Sequence, residues 1–192
     1  TQRSHTCGEL GVKQLDQEVM LCGWVAKRRD HGGLIFVDLR DRYGLTQIVF
    51  DPAHMSDKAV FALSEKLRSE FVLWCKGKVR ARPDGMTNAK LSTGAIEVIC
   101  NDLSILSEAK TPPFPIDDEA DVSEQLRLEY RYLDLRRPYL QNNLITRHRM
   151  LQIVRQHLDS HNFLEIETPI LYKSTPEGAR DFIVPSRLNP GE

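Results

Sequence analysis

The chain has 192 residues, with 26 Lys and Arg against 27 Asp and Glu, a formal net charge of −1. That balance argues against a nucleic-acid binder that works by bulk positive charge and leaves room for a local basic face. Cys7, Cys22, Cys75 and Cys100 form no C-x-x-C pair, and no His stands at zinc-ligand spacing from them, which speaks against a metal site or disulfide framework and fits a reducing cytosol. No apolar run approaches the roughly 20 residues of a membrane helix and no signal pattern opens the chain, so the expected location is cytoplasmic. The length suits one well-cored domain plus part of another. A start at Thr1 and a turn-like ending, Asn189-Pro190-Gly191-Glu192, lead us to expect a piece of a longer protein.

From Val19 to Phe50 three strand-like runs are broken by His31-Gly32-Gly33 and Tyr43-Gly44, the turn signals of a meander. Ser56-Asp57 then caps a helix whose apolar side is Val60, Leu63 and Leu67. Strand character returns over Phe71 to Arg82 and Ala95 to Leu106. Three strands, a helix and two strands is the order of the five-stranded OB barrel, an oligonucleotide-binding architecture. Thr111 to Asp121 carries Pro112, Pro113, Pro115 and several acids, which can propagate neither helix nor ladder and reads as a linker. Beyond it, Leu140, Leu144, Leu151, Val154 and Leu158 mark the buried stripe of a long helix stopping near Asn162, followed by a strand-like run, Phe163 to Thr168, that meets Pro169. The expected fold is thus a mainly β five-stranded OB barrel over 1–107, a linker or hinge over 108–138 and the start of an α+β domain over 139–192.

Alternation along Leu34 to Arg40 puts Ile35, Val37 and Leu39 on one side and leaves Phe36 with Asp38 and Arg40 on the other. An aromatic ring on a polar barrel face suits base stacking, worth about 1–3 kcal/mol per base. Trp74, Lys76, Lys78, Arg80 and Arg82 likewise share the outer side of their strand. Lys27 and Arg29 share one face of the first strand, with Arg28 opposed. Such cations can meet phosphates or make forked hydrogen bonds to base edges. Gln47, beside Phe36 in a hairpin, offers both a donor and an acceptor.

These residues carry a specific resemblance. Leu21-Cys22-Gly23-Trp24-Val25, Arg28-Arg29-Asp30, Phe36 to Arg42 and Gln47-Ile48-Val49-Phe50-Asp51-Pro52 resemble the barrel of bacterial aspartyl-tRNA synthetases. Tyr130-Arg131-Tyr132-Leu133-Asp134-Leu135-Arg136-Arg137-Pro138 resembles that family's entry to its class II catalytic domain, and Phe163 to Leu171 resembles class II motif 1. Thr175 to Phe182 is similar to the family's loop that closes over aspartate, where the asparaginyl and lysyl enzymes differ.

The resemblance implies a ligase that uses ATP and Mg²⁺ to make aspartyl-adenylate and then charges tRNA(Asp). It implies that Phe36 stacks on an anticodon base, that Arg29 and Gln47 contact base edges, and that Lys27, Arg80 and Glu97 assist. Glu177 would hold the ammonium of L-aspartate, and Pro169 would lie in a homodimer interface. His31 and Gly85 resemble members with relaxed specificity, which also charge tRNA(Asn). The Phe-Arg-x-Glu pattern of motif 2 and the Gly-rich-to-Arg pattern of motif 3 do not occur in this sequence, so no catalytic residue is assigned here, and this segment is expected to bind without catalysing. The alternatives are a non-catalytic OB module, which would have no use for residues 130–182, and an asparaginyl or lysyl synthetase.

Overall fold

The computed structural model describes residues 2–54, 57–173 and 182–189. Contacts divide the chain into two units, Thr1–Asn142 and Asn143–Glu192.

The first unit is built on a closed barrel with strand order β1-β2-β3-β5-β4, from β1 (Glu18–His31), β2 (Leu34–Arg40), β3 (Leu45–Phe50), β4 (Val72–Ala81) and β5 (Ile96–Ser107), with α1 (Lys58–Glu65) between β3 and β4. The long β1 pairs with β4 through its first half and with β2 through its second. A short parallel pairing of β3 with β5, Ile48 to Val98 and Val49 to Ile99, closes the ring. Period-2 alternation turns Leu21, Val25, Ile35, Val37, Leu39, Leu73, Cys75, Val79 and Val98 into one core. α1 starts on Asp57, whose carboxylate accepts the Ala59 N–H at 2.8 Å, and contributes Val60 to that core. The β1–β2 hairpin turns through Gly32 and Gly33 at φ 61° and 81°, the conformation whose twist matches the flanking strands.

One irregularity decides what the barrel presents. The β1–β2 register shifts between Val25 and Lys27, so one extra residue at Ala26 reverses the alternation. Val19, Leu21 and Val25 point inward, yet Lys27 and Arg29, of the same parity, stand outside opposite Asp38 and Phe36.

The proline-rich stretch has no regular structure, as expected, but it is knitted into the first unit. Phe114 and Leu133 are buried, and Asp134 is fully buried. This segment continues into α2 (Glu124–Glu129), α3 (Arg131–Asp134) and α4 (Pro138–Ser160). Asp134 gathers Arg127, Arg131 and Arg137. Arg137 also donates to the carbonyls of Asp117, Asp118 and Ala120, and the Asp118 carboxylate accepts the Tyr139 N–H at the start of α4. The first compact unit, Thr1–Asn142, therefore takes in this segment together with the barrel.

In the second unit α4 ends where expected: Asn162 takes the left-handed conformation at φ 64°, and the Phe163 N–H returns to the Leu158 carbonyl at 3.1 Å. Two expectations are corrected. Leu144, Leu151, Val154 and Leu158 are exposed rather than buried, because no described element covers that side of the helix. Phe163 to Thr168 forms no strand, since a strand needs a ladder partner and the described residues offer none. The run lies exposed, anchored to the helix by Arg155, which clamps Glu165 through Nε and Nη2 at 2.9–3.1 Å.

Candidate nucleic-acid interface

A concavity of about 660 Å³ opens on the barrel, lined by Arg29, His31, Leu34, Phe36, Gln47, Arg80, Arg82, Pro83, Met86 and Glu97 together with Asp30. Its floor is a chain of polar side chains to which every strand contributes one. Arg29 of β1 donates to Asp38 of β2 at 2.6 Å and to Gln47 Oε1 of β3 at 3.5 Å. The Gln47 amide donates to Glu97 of β5 at 2.9 Å, and Arg80 Nε of β4 donates to the other Glu97 oxygen at 2.8 Å.

Each link has a local cause. Asp38 and Gln47 are register partners, as are Arg80 and Glu97, so the strands set these pairs side by side. Glu97 is only 2% exposed and Gln47 8%. A buried carboxylate is costly unless hydrogen-bonded, and here both its oxygens are used. Burial likewise pushes the Asp38 carboxyl above its ordinary range, against the pull of Arg29, Arg82 and Lys27, which leaves its anion dependent on the Arg29 contact. The Gln47 amide has a donor on one side and an acceptor on the other, and it retains one N–H and one lone pair.

Above this floor Phe36 is half-buried, flanked along the strand by Leu34 and Asp38. Two arginines of the lining are paired with acids, Arg29 with Asp38 and Arg80 with Glu97, while Arg82 donates to a carbonyl and Asp30 lies nearest Arg28. A face so balanced holds a ligand by stacking and directed hydrogen bonds more than by net charge.

The structure brings together Arg29, His31, Phe36, Gln47, Arg80 and Glu97 of the residues singled out in the sequence. Lys27 stands on the same face opposite Asp38 but outside the lining. Gly85 is not itself in the lining, though its neighbours are. The Met86 N–H bonds the Pro83 carbonyl at 3.0 Å around Gly85 at φ 77°, a turn that needs a residue tolerant of positive φ. The outer row of β4 splits: Arg80 and Arg82 reach the concavity, whereas Lys76 and Lys78 pair with Glu18 and Asp16, each at 2.8 Å. Leu34 and Met86 were not anticipated. Leu34 shares the parity of Phe36 and so was findable; Met86 sits in a loop where periodicity is silent. Arg82 donates Nε to the Ile96 carbonyl, and its buried Nη2 has no partner among the described residues.

Glu177 lies outside the described residues. Pro169 is exposed in irregular chain. Among the described residues no three His, Cys, Asp or Glu side chains converge as a metal site, and no helix is long and apolar enough to cross a membrane.

Two family models match: the OB-fold nucleic acid binding domain over residues 19–106, and the tRNA synthetases class II (D, K and N) over residues 123–192. The chain is 56% identical over 190 residues to the aspartate–tRNA(Asp/Asn) ligase of Desulfosudis oleivorans, covering 99% of this chain and 32% of that protein. It is 56% identical over 191 residues to the enzyme of the same name from Syntrophomonas wolfei, with 100% and 32% covered. The chain thus spans about a third of the length of the curated relatives it matches. Among solved structures it is similar to the asparaginyl-tRNA synthetase from Pyrococcus horikoshii complexed with asparaginyl-adenylate, with a TM-score of 0.77 and 25% identity over 91% of this chain and 38% of that one.

Proposed function

We propose that the chain, which matches both the OB-fold nucleic acid binding domain and the class II (D, K and N) tRNA synthetases, is the anticodon-reading part of an aspartate–tRNA ligase that charges both tRNA(Asp) and tRNA(Asn). The observation that carries this reading is the polar chain Asp38–Arg29–Gln47–Glu97–Arg80, set beneath a half-buried Phe36. The anticodons GUC and GUU share their first two bases. Phe36 stacks on a base, while the fixed amide of Gln47 and the guanidiniums of Arg29 and Arg80 read base edges. Because the network holds these groups before RNA arrives, little side-chain ordering is lost on binding. Glu97 orients Gln47 and Arg80, and Lys27 meets the backbone from the rim.

The third anticodon base alone separates the two tRNAs, and His31 and Gly85 belong to the two loops that flank the concavity. A glycine in one and an imidazole in the other leave that base with no tight partner, so C and U are both accepted. Glu177 holds the ammonium of L-aspartate, Pro169 and the exposed α4 stripe belong to a homodimer interface, and the protein works in the cytoplasm. ATP and Mg²⁺ serve the adenylate-forming step in the full-length enzyme.

The test is made on the full-length enzyme. Aspartate-dependent pyrophosphate exchange and aspartylation of tRNA(Asp) are expected, with a kcat/KM preference for tRNA(Asp) over tRNA(Asn) below about 10³-fold, the range left to imperfect packing. His31→Leu and Gly85→Lys should each raise that preference. A larger preference in the wild type would remove the tRNA(Asn) part of the reading. An absence of aspartate-dependent exchange would remove all of it, in favour of a non-catalytic module or of the asparaginyl or lysyl chemistry.

A further inference from the structure

The concavity uses only one end of the β1–β2 hairpin. At the other end, on the same outer face, Trp24 and Arg40 stand opposite each other, and each is tied to a residue outside the hairpin. The Arg136 guanidinium lies 4.6 Å from the centroid of the Trp24 ring, within the range of a cation–π contact. Its Nη1 is 3.8 Å from Glu70 Oε2. Both Glu70 oxygens accept from Arg40 Nη2, at 2.9 and 2.8 Å, in a nearly buried setting. Glu70 is held at φ 65° with its N–H on the Val25 carbonyl. A non-glycine residue in the left-handed region is uncommon and persists where its surroundings dictate it; here that conformation delivers a buried carboxylate to two guanidiniums.

The arginines of the segment divide in purpose. Arg127, Arg131 and Arg137 converge on Asp134 and hold the segment to itself. Among these four and within the described residues, Arg136 is the one that reaches side chains of the barrel unit beyond its own segment. None of Trp24, Glu70 or Arg136 lines the concavity, so reading a base does not require them.

We infer that Arg136 is a positioning residue: its stack on Trp24 and its charge contact with Glu70 set the register of the 131–139 segment on the barrel, so that one tRNA is engaged at its anticodon and its acceptor end together. The inference rests on the reading that the protein charges tRNA. A second contact on a tethered ligand gains from the first only where geometry lets both form. Displacement of a reacting group by ~1 Å can cost about 10²-fold in rate. Phe36 and Arg40 are four positions apart on β2, roughly 13 Å, so the hairpin is a short, stiff bar between the base-reading face and this latch.

The experiment uses the full-length enzyme carrying Arg136→Ala, Arg136→Lys, Trp24→Leu, or Arg136→Ala combined with Trp24→Leu. Three readouts are compared: pyrophosphate exchange without tRNA, binding of a GUC stem-loop, and aspartylation of tRNA(Asp). Arg136→Ala is expected to lower kcat for aspartylation by about 10- to 100-fold and to leave exchange and stem-loop affinity unchanged. Arg136→Lys keeps a cation over the ring and recovers part of the rate. The double variant should lose no more than the worse single one, as for two partners in one contact. Unchanged aspartylation by Arg136→Ala overturns the inference, and so does an equal fall in exchange or stem-loop binding, the mark of a merely structural role. A wild-type enzyme that fails to aspartylate tRNA overturns the underlying reading and the inference with it.

Discussion

The barrel and the α4 region are written in the same apolar alphabet and end in opposite states. In the barrel each apolar row meets another from the same chain: Val25 faces Leu39 across one ladder, and Phe50 is fully enclosed. On α4 an equally regular stripe, Leu144 to Leu158, faces outward, and the run after it pairs with nothing among the described residues. Periodicity reports that a face is apolar; whether it is buried depends on what else the fold supplies. The difference also separates two kinds of surface. The barrel's concavity has a polar floor already hydrogen-bonded within the chain, whereas the α4 stripe is covered by none of the described residues.

The sharpest way to break this comparison is to remove apolar bulk from each region of this chain. Phe50→Ala should destabilise the barrel by about 3–5 kcal/mol, as for a large core side chain, while Leu151→Ala should change stability by less than about 0.5 kcal/mol, as for an exposed position. Chemical unfolding reads both, followed by tryptophan fluorescence for the barrel, which holds Trp24 and Trp74, and by helical circular dichroism for α4; a cost at Leu151 approaching that at Phe50 would show the stripe to be buried after all. A smaller effect separates the reading face from the rest of the barrel surface. Phe36→Ala should weaken binding of a GUC stem-loop by about 1–3 kcal/mol. Lys76→Ala, whose ammonium sits on Glu18 away from the concavity, should leave both the affinity and its salt dependence unchanged. If the two variants bind alike, the face has been assigned to the wrong side of the barrel.

The smallest effect is a dependence on pH. Burial holds the thiols of Cys7 and Cys75 well above the ordinary 9.0, with a neighbouring thiol, Cys100, the largest influence on Cys75. Above that ordinary value the unfolded chain releases these protons while the folded barrel keeps them. The unfolded state then binds fewer protons, so stability falls as pH rises. Full stability is present below pH 9, and each such thiol should cost about 1 kcal/mol by pH 10. Urea midpoints measured between pH 8 and 10 would show the decline. A flat profile would mean that these thiols ionise inside the fold.

Much of this was legible from period and punctuation. Alternation along β2 and β4 placed Phe36 and Arg80 outside, and Gly32-Gly33 placed the hairpin. The bulge at Ala26 was not legible, since a strict period of two would have carried Lys27 and Arg29 inward with Val25; only pairing against β2 reveals the extra residue. Composition read 111–121 correctly as irregular but missed its attachment, because an acid that caps α4 and an arginine that collects three carbonyls leave no periodic trace. The polar floor was half visible: Gln47 and Arg29 suggest themselves by face, whereas the burial of Glu97 between them and Arg80 is a property of five strands brought together. Phe163 to Thr168 shows the reverse error, strand-like residues without a strand, because propensity cannot provide a partner.

The closed ring has a further consequence for what can be recognised. The barrel strands form one continuous ring, whose last seam, between β3 and β5, is joined by two parallel pairs. A sheet closed into a ring presents less margin on which an extended peptide, or a second copy of the barrel, could lay down an additional strand. The same closure guards a β-rich fold against edge-to-edge aggregation.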